Sequence, residues 1–391
     1  MNRIYNSKLT LTMTACFLLA MAASPATALP PDPDNAALLY YQGFLSLAEL
    51  SEEAIDRIVN VARGGTMPDD QVRQDIGKCG GAIHFAEAAV KVPACDWGIQ
   101  FSEGFDALMP QLAQMRLMNF VLAADAQILA ADVDYKAALE RCLIIDKFAR
   151  HVGDDTLISY LVSIAVHGLE FKCIQDIAGQ AADDVELLKW LKNELAKSTI
   201  NTLSPARPFK YEIEITTELM QMKNVEKLAG VLCESDEKKM AEIARKVNAE
   251  ILQKARQIYT ERMNSAIKIW NTPMPYEQAH SQLKKLENDF DPNDPASAAA
   301  GAFIPSIARI MTLKTRTGAH ANAIKAGVEI LLDRAKRGRL ADTLPAGLPK
   351  DAFSGKDFEY EKTKDGFILR CRGRDMDKKD EIDQYEFKIK K

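Results

Sequence analysis

The chain has few aromatic residues, 7% of 391, and only five histidines, His84, His151, His167, His280 and His320. None of the five forms an H-E-x-x-H or other i,i+4 pair, and no Cys-x-x-Cys occurs. The common zinc-protease and zinc-ribbon signatures are therefore absent. No G-x-S-x-G, Walker or G-x-G-x-x-G stretch is present either, which removes the usual serine-hydrolase and nucleotide-binding motifs. Gly64-Gly65 and Gly80-Gly81 read as helix stops. Basic residues are not in excess: the net charge is −5, and nothing points to nucleic acid.

Residues 1–28 read as a secretory signal peptide. Arg3 and Lys8 supply a basic start, Leu9 to Ala23 an apolar core, and Ala26-Thr27-Ala28 a cleavage site. Removing Arg3 and Lys8 leaves 48 basic residues against 55 acidic ones, a mildly acidic mature protein. No later stretch reads as long and apolar enough to span a bilayer. The expected location is the periplasm or the exterior, with no membrane span in the mature chain.

What is abundant is helix grammar. The centre is Asp134 to Ala178, two amphipathic patterns joined by a polar turn. Tyr135, Ala138, Leu139, Cys142, Ile145, Phe148 and Ala149 share one helical face, and Gly153 suits a left-handed C-cap. Asp154 or Asp155 is expected to cap the second helix, which is apolar almost all round from Leu157 to Val166 and so reads as buried between neighbours. Similar helices are predicted from Asn35, from Ser51, from Pro68 to about Val90, from Leu108 to Ala130, from Val185 to Lys197, and from Asp236 to Asn271. After the linker at 291–297 comes a helix from Ile304 to Arg337. Then Phe358–Glu361 and Phe367–Cys371 alternate around a Lys364-Asp365-Gly366 turn, and Tyr385–Ile389 alternates again. The fold class expected is mostly α: an irregular array of antiparallel helical hairpins over 29–300, with a long helix and a small antiparallel β module over 301–391.

Two stretches carry resemblances. CDWGIQFSEGF followed by DYKAALERCLIIDKFARHVGDDTLISYLVSIAV resembles a group of uncharacterised exported helical proteins of bacteria, in which Gly usually stands where this chain has Val133. That resemblance implies an all-helical exported protein and no transferable activity. The run PKDAFSGKDFEYEKTKDGFILRC is similar to the C-terminal part of the major pseudopilins of type II secretion, although the long helix here is internal and no pilin-type anchor helix is present.

Candidate sites are few. The loop at Cys95-Asp96-Trp97 reads either as a ligand-contacting loop through Asp96 and Trp97, or as a Trp plug under the hairpin with Asp96 bonding local amides. Asp375, Asp377, Asp380 and Asp383 are dense enough in oxygen to bind calcium, and the resemblance to pseudopilins, which bind calcium just after the corresponding sheet, adds to that expectation; interleaved Arg374, Lys378 and Lys379 argue for a solvated hairpin instead. In an oxidising compartment Cys79 and Cys95 are the expected disulfide pair, worth ~3 kcal/mol by loop closure. Counting from Gly153 places Cys142 and Cys173 some ~13 Å out of register, too far to bond. His151 at a helix C-terminus is expected to favour its charged form, and His84 shares a face with Glu87. The leading functional reading is an envelope interaction or scaffold protein with an envelope or secretion-related partner; the alternative is a hydrolase or small-molecule-binding protein with its site near Trp97.

Overall fold

The computed structural model describes residues 32–47, 50–153, 155–197, 204–232, 247–378 and 381–390. The expected signal peptide, Asp154, Asp380 and the start of the helix predicted from Asp236 (Met240 and Ile243 included) lie outside them. The protein is mostly α, with fourteen α-helices among the described residues and one small sheet. These helices are α1 Ala36–Leu45, α2 Glu52–Ala62, α3 Asp70–Lys78, α4 Gly80–Ala89, α5 Gln111–Ala131, α6 Tyr135–Val152 and α7 Leu157–Gln180. They continue as α8 Val185–Ala196, α9 Ala206–Leu219, α10 Val225–Leu232, α11 Ala249–Asn271, α12 Tyr276–Asn288, α13 Pro295–Ala302 and α14 Ile307–Arg337. Short polar side chains start many of them by accepting a backbone N–H of the first turn: Asn35, Ser51, Asp69, Asp134, Asp184, Asn248 and Asp294.

Helix α7 runs through the middle. Its first turns, at Leu157, Tyr160 and Ile164, pack into one apolar core with Phe209, Tyr259, Met263 and Leu283. From Val166 onward it packs into a second core with α5, α6 and the sheet. Helix α14 does the same, giving Ile307, Ala308 and Ile310 to the first core and Ala319 to Leu332 to the second. Two long helices thus stitch both cores together. Residues Asn35–Lys391 cluster into one compact unit. By length and composition α7 could cross a bilayer, as could the stretch Pro295–Arg337, contrary to the expectation that no later segment would qualify. In α7, 61% of that apolar window is buried inside the protein.

Three local expectations are corrected. The helix predicted from Pro68 to Val90 is two helices broken at Cys79, and Gly80-Gly81 begin the second of them. The cap of α7 is Thr156, in a reciprocal capping box with Ser159. Gly153 does take a positive φ, 85°, but with ψ 176° it lies outside the left-handed helical region.

The sheet is antiparallel in the order β1-β2-β3, with β1 Glu359–Thr363, β2 Gly366–Arg370 and β3 Gln384–Lys388. Lys364-Asp365 form its two-residue turn. Phe367 and Phe387 face each other across β2 and β3 and stack at 4.8 Å. Glycine lets this sheet approach the helices. A Cβ on Gly327 of α14 would sit 2.2 Å from the Phe387 ring, and one on Gly179 of α7 would sit 2.2 Å from the Lys388 carbonyl oxygen. The loop before β1 is held by the buried Asp351 carboxylate, which accepts N–H bonds from Phe353, Arg372 and Gly373 and the Ser354 hydroxyl bond.

Polar bonds fix the docking. Gln175 of α7 donates to the Glu386 carbonyl at 2.7 Å and accepts from His320 Nε2 of α14 at 2.9 Å. Because the Gln175 amide nitrogen is committed to a carbonyl, its oxygen faces the imidazole, so Nε2 carries the proton. His320 also stacks on Tyr385 at 4.7 Å.

Two outcomes test this account. Val133 closes α5 in a Schellman arrangement, with Val133 N–H bonded to Ala130 and Asp134 N–H to Leu129, and it takes φ 64°. That conformation costs a β-branched residue ~1–2 kcal/mol, and Val133 is 67% exposed, so little packing is lost on its removal. Val133→Gly is expected to raise unfolding free energy by about 1 kcal/mol in urea titration; an unchanged or lower midpoint would remove the strain argument. Burial, reinforced by Lys172, lowers His320 to about 3. An imidazole kept neutral in the fold but protonating near ~6.5 when unfolded leaves stability whole above ~6.5 and erodes it as pH falls toward the folded value. The slope from this one group is about 1.4 kcal/mol per pH unit. His320→Gln is expected to be less stable at pH 7 yet flatter between pH 6.5 and 4; parallel profiles would count against the assignment.

Candidate functional site

The Cys95-Asp96-Trp97 loop is a plug. Trp97 is 7% exposed, its ring stacked on Tyr40 at 5.5 Å and on Phe44 at 6.2 Å, with Tyr41 edge-on at 5.7 Å. Its indole N–H donates to the His151 carbonyl at the end of α6, 2.6 Å away. Asp96 accepts the Gly98 N–H through its side chain, and its backbone is clamped by the Asn35 amide. The Trp97 ring is packed against its aromatic neighbours, and Asp96, itself exposed, bonds the amide of its own turn. A depression of about 460 Å³ beside the plug is edged by Tyr41, Trp97, Glu103 and Asp106, and Asp106 is ion-paired with Lys227. His151 bonds Tyr40 OH through Nδ1 at 2.9 Å. Burial and then neighbouring Arg150 hold its pKa below the ordinary histidine value, so the expected charged form is not favoured.

The acidic C-terminal loop is neutralised from within. Asp375 is buried and paired with Arg316 of α14, Asp377 lies 3.3 Å from His280 Nε2 and 3.9 Å from Arg309, and Asp383 lies 3.4 Å from Lys378. Asp380 is outside the described residues. The three described carboxylates, expected as calcium ligands, each have a cation beside them, and Arg316 is shared by Asp375 and by Asp383 at 3.5 Å. The Cys79–Cys95 bridge is absent as well: both are free thiols, with Cys79 turned into the core and its Sγ 3.4 Å from the Asp75 carbonyl. Cys142 and Cys173 are also free, yet their thiols interact across α6 and α7. The ~13 Å offset expected from counting about Gly153 fails because facing residues pair about Ile158, one turn into α7. His84 is exposed, and Glu87 is ion-paired with Arg141 rather than with it.

A site that sequence reasoning missed lies along an exposed flank of α7. A groove of about 570 Å³ runs between α5 and α7, under the end of α2. Its walls are Phe120 from α5 and Ile158, Leu161, Val162, Ala165 and Leu169 from α7. Ile158 is 54% exposed. Three cations rim this apolar trough: Arg63, Arg116 and Lys172. The Arg63 guanidinium lies 5.3 Å and that of Arg116 6.0 Å from the Phe120 ring centre. Among the described residues neither arginine has a carboxylate partner, whereas Lys172 is held by Asp176 one turn on. No acid lines the groove. Behind its wall Asn119 is 4% exposed and its Oδ1 has no hydrogen-bond partner. The volume falls in the range of small-molecule sites, ~300–1,000 Å³. The sequence signals were present but weak: an α7 with apolar residues on more faces than one core needs, and Arg116 one turn before Phe120.

One further group could hold a metal: Asp146, His167 and Glu170, all buried between α6 and α7. No protein-family model, no curated protein and no solved structure matches the chain.

If Trp97 is a structural plug, Trp97→Ala is expected to lower unfolding free energy by about 3–5 kcal/mol. Trp97→Phe, which keeps the stack and loses the bond to His151, is expected to cost about 1 kcal/mol. Urea titration of both variants checks this; a Trp97→Ala protein of unchanged stability would return the loop to the list of ligand contacts.

Proposed function

We propose that this is an exported binding protein whose ligand is an anionic amphiphile, such as a long-chain alkyl carboxylate. The apolar body lies along α5 and α7, and the charged head sits between Arg63, Arg116 and Lys172. The observation that carries this reading is the pairing of an apolar groove with two guanidiniums that have no carboxylate partner among the described residues. Guanidinium recognises a carboxylate through two parallel N–H bonds. The Phe120 ring holds both arginines over the groove at little cost in ordering, which favours binding. The apolar walls supply affinity in proportion to the area they remove from water, and the cations supply selection of the head group.

The expected signal-peptide export suits such a carrier, since amphiphiles abound at the cell envelope. The envelope-scaffold reading draws on the same surface, with an acidic amphipathic helix of another protein in place of the small molecule.

Calorimetric titration of the mature protein with a long-chain carboxylate and with the alcohol of equal length separates these readings. The carboxylate is expected to bind at least about ten-fold more tightly, the worth of one charged hydrogen bond. In the double variant Arg63→Gln/Arg116→Gln, both side chains being exposed, that preference should vanish while circular dichroism stays unchanged. A folded protein that binds neither compound, or that binds both equally before and after substitution, would overturn the proposal and leave the groove to a protein partner.

A further inference from the structure

The closely packed pair α6 and α7 encloses polar groups that its packing does not call for. Asp146 projects from α6, and His167 and Glu170 project from α7 one turn apart. They are 6%, 1% and 1% exposed. One donor atom from each lies within 4.8 Å of the other two, and His167 Nδ1 is 2.8 Å from Glu170 Oε2. Around them are Arg150, which bonds Asp146 at 2.6 Å from an exposed position on α6, Lys325 of α14, whose charge acts on Asp146, and Phe171, stacked on the His167 ring at 5.8 Å.

A buried ionic trio is a poor way to stabilise a hairpin. Desolvating such groups costs several kcal/mol each, and apolar residues of the same volume commonly do as well or better. Two carboxylates and an imidazole converging in a dry space are, however, the ligand set a divalent cation takes in helical bundles, where a carboxylate and a histidine three apart on one helix face a carboxylate on the next.

We propose that Asp146, His167 and Glu170 form a binding site for one divalent first-row transition-metal ion. The site is independent of the amphiphile groove. Metal bonds of ~2.0–2.2 Å to a nitrogen and to carboxylate oxygens require only that the three donors close round the ion by a fraction of their present separation. Thiolate is absent from the trio, so the set suits zinc, manganese or iron rather than copper(I). Three protein ligands leave a fourth position for water, as in open zinc sites. Arg150, bonded to Asp146, has a side chain 42% exposed and long enough to swing aside as the ion enters. The two cysteines of the core, Cys142 and Cys173, lie one turn away on the same two helices and are the rival ligands.

The test uses the whole mature chain stripped of metal by a chelator. Cobalt(II), as a coloured stand-in for zinc, is expected to bind one to one with the visible absorption of a four- or five-coordinate nitrogen–oxygen site, and zinc should displace it and raise the melting temperature. Glu170→Gln and His167→Gln, screened for fold by circular dichroism, should each weaken zinc binding by more than about 100-fold, beyond the loss seen for residues that only support a ligand. X-ray absorption of the wild-type zinc protein decides the case even if both variants unfold: a nitrogen–oxygen shell supports the site. A shell containing sulfur would assign the ion to Cys142 and Cys173 and overturn the proposal. So would a folded wild type that takes up no cobalt or zinc at millimolar concentration.

Discussion

Everything in this fold answers to one constraint, the need to cover a 24-residue helix that is apolar on nearly every face. A stripe-faced helix is satisfied by one neighbour; α7 needs a sleeve. Its first turns are covered by α9 and α11, its middle by α5 and α6, and its end by α14 and the third strand. Helix α14, 31 residues long, packs against α7 and joins both cores.

Close approach sets the tightness of that closure. Gly179 and Gly327 allow a β-strand to lie against two helices at distances a Cβ would forbid. Gln175 then satisfies the Glu386 carbonyl of β3, and His320 holds the Gln175 amide in place, since a buried carbonyl left unpaired would cost ~1–3 kcal/mol. The acidic loop between β2 and β3 belongs to the same device. Its carboxylates meet Arg316, His280 and Lys378, so charges that look like a calcium loop in the sequence serve as attachment of the sheet to α14 and α12.

Where the sleeve is incomplete, α7 shows an apolar flank, and that gap is the groove. Its chemistry follows from what surrounds it: the end of α2 brings Arg63, and the exposed edge of α5 brings Arg116, both over Phe120. The inner face of the same helix tells a different story, with His167 and Glu170 turned toward Asp146 in the driest part of the protein. One helix thus carries an exposed apolar surface outward and a buried polar cluster inward, the reverse of the usual arrangement. That reversal is the reason both places are assigned roles beyond packing.

The sequence alone determined what is local. Periodicity located the central hairpin, the long C-terminal helix and the three strands, and short polar caps, Asp34 or Asn35 and then Ser51, marked helix starts, because these features depend on neighbours within a few residues. It also held the Trp97 plug as one of two readings, and the missing glycine at Val133 was visible as a departure from the pattern it resembles. Tertiary structure alone decided what depends on register and packing between distant segments. The α6–α7 pair is symmetric about Ile158 instead of Gly153, and that shift of a single turn brings Cys142 to Cys173 and Asp146 to Glu170, as no count from the turn could foresee. The fate of the acidic loop rested on Arg316, 59 residues before Asp375. The groove exists only as the space three helices fail to fill, a property of their arrangement that no single stretch of the chain contains.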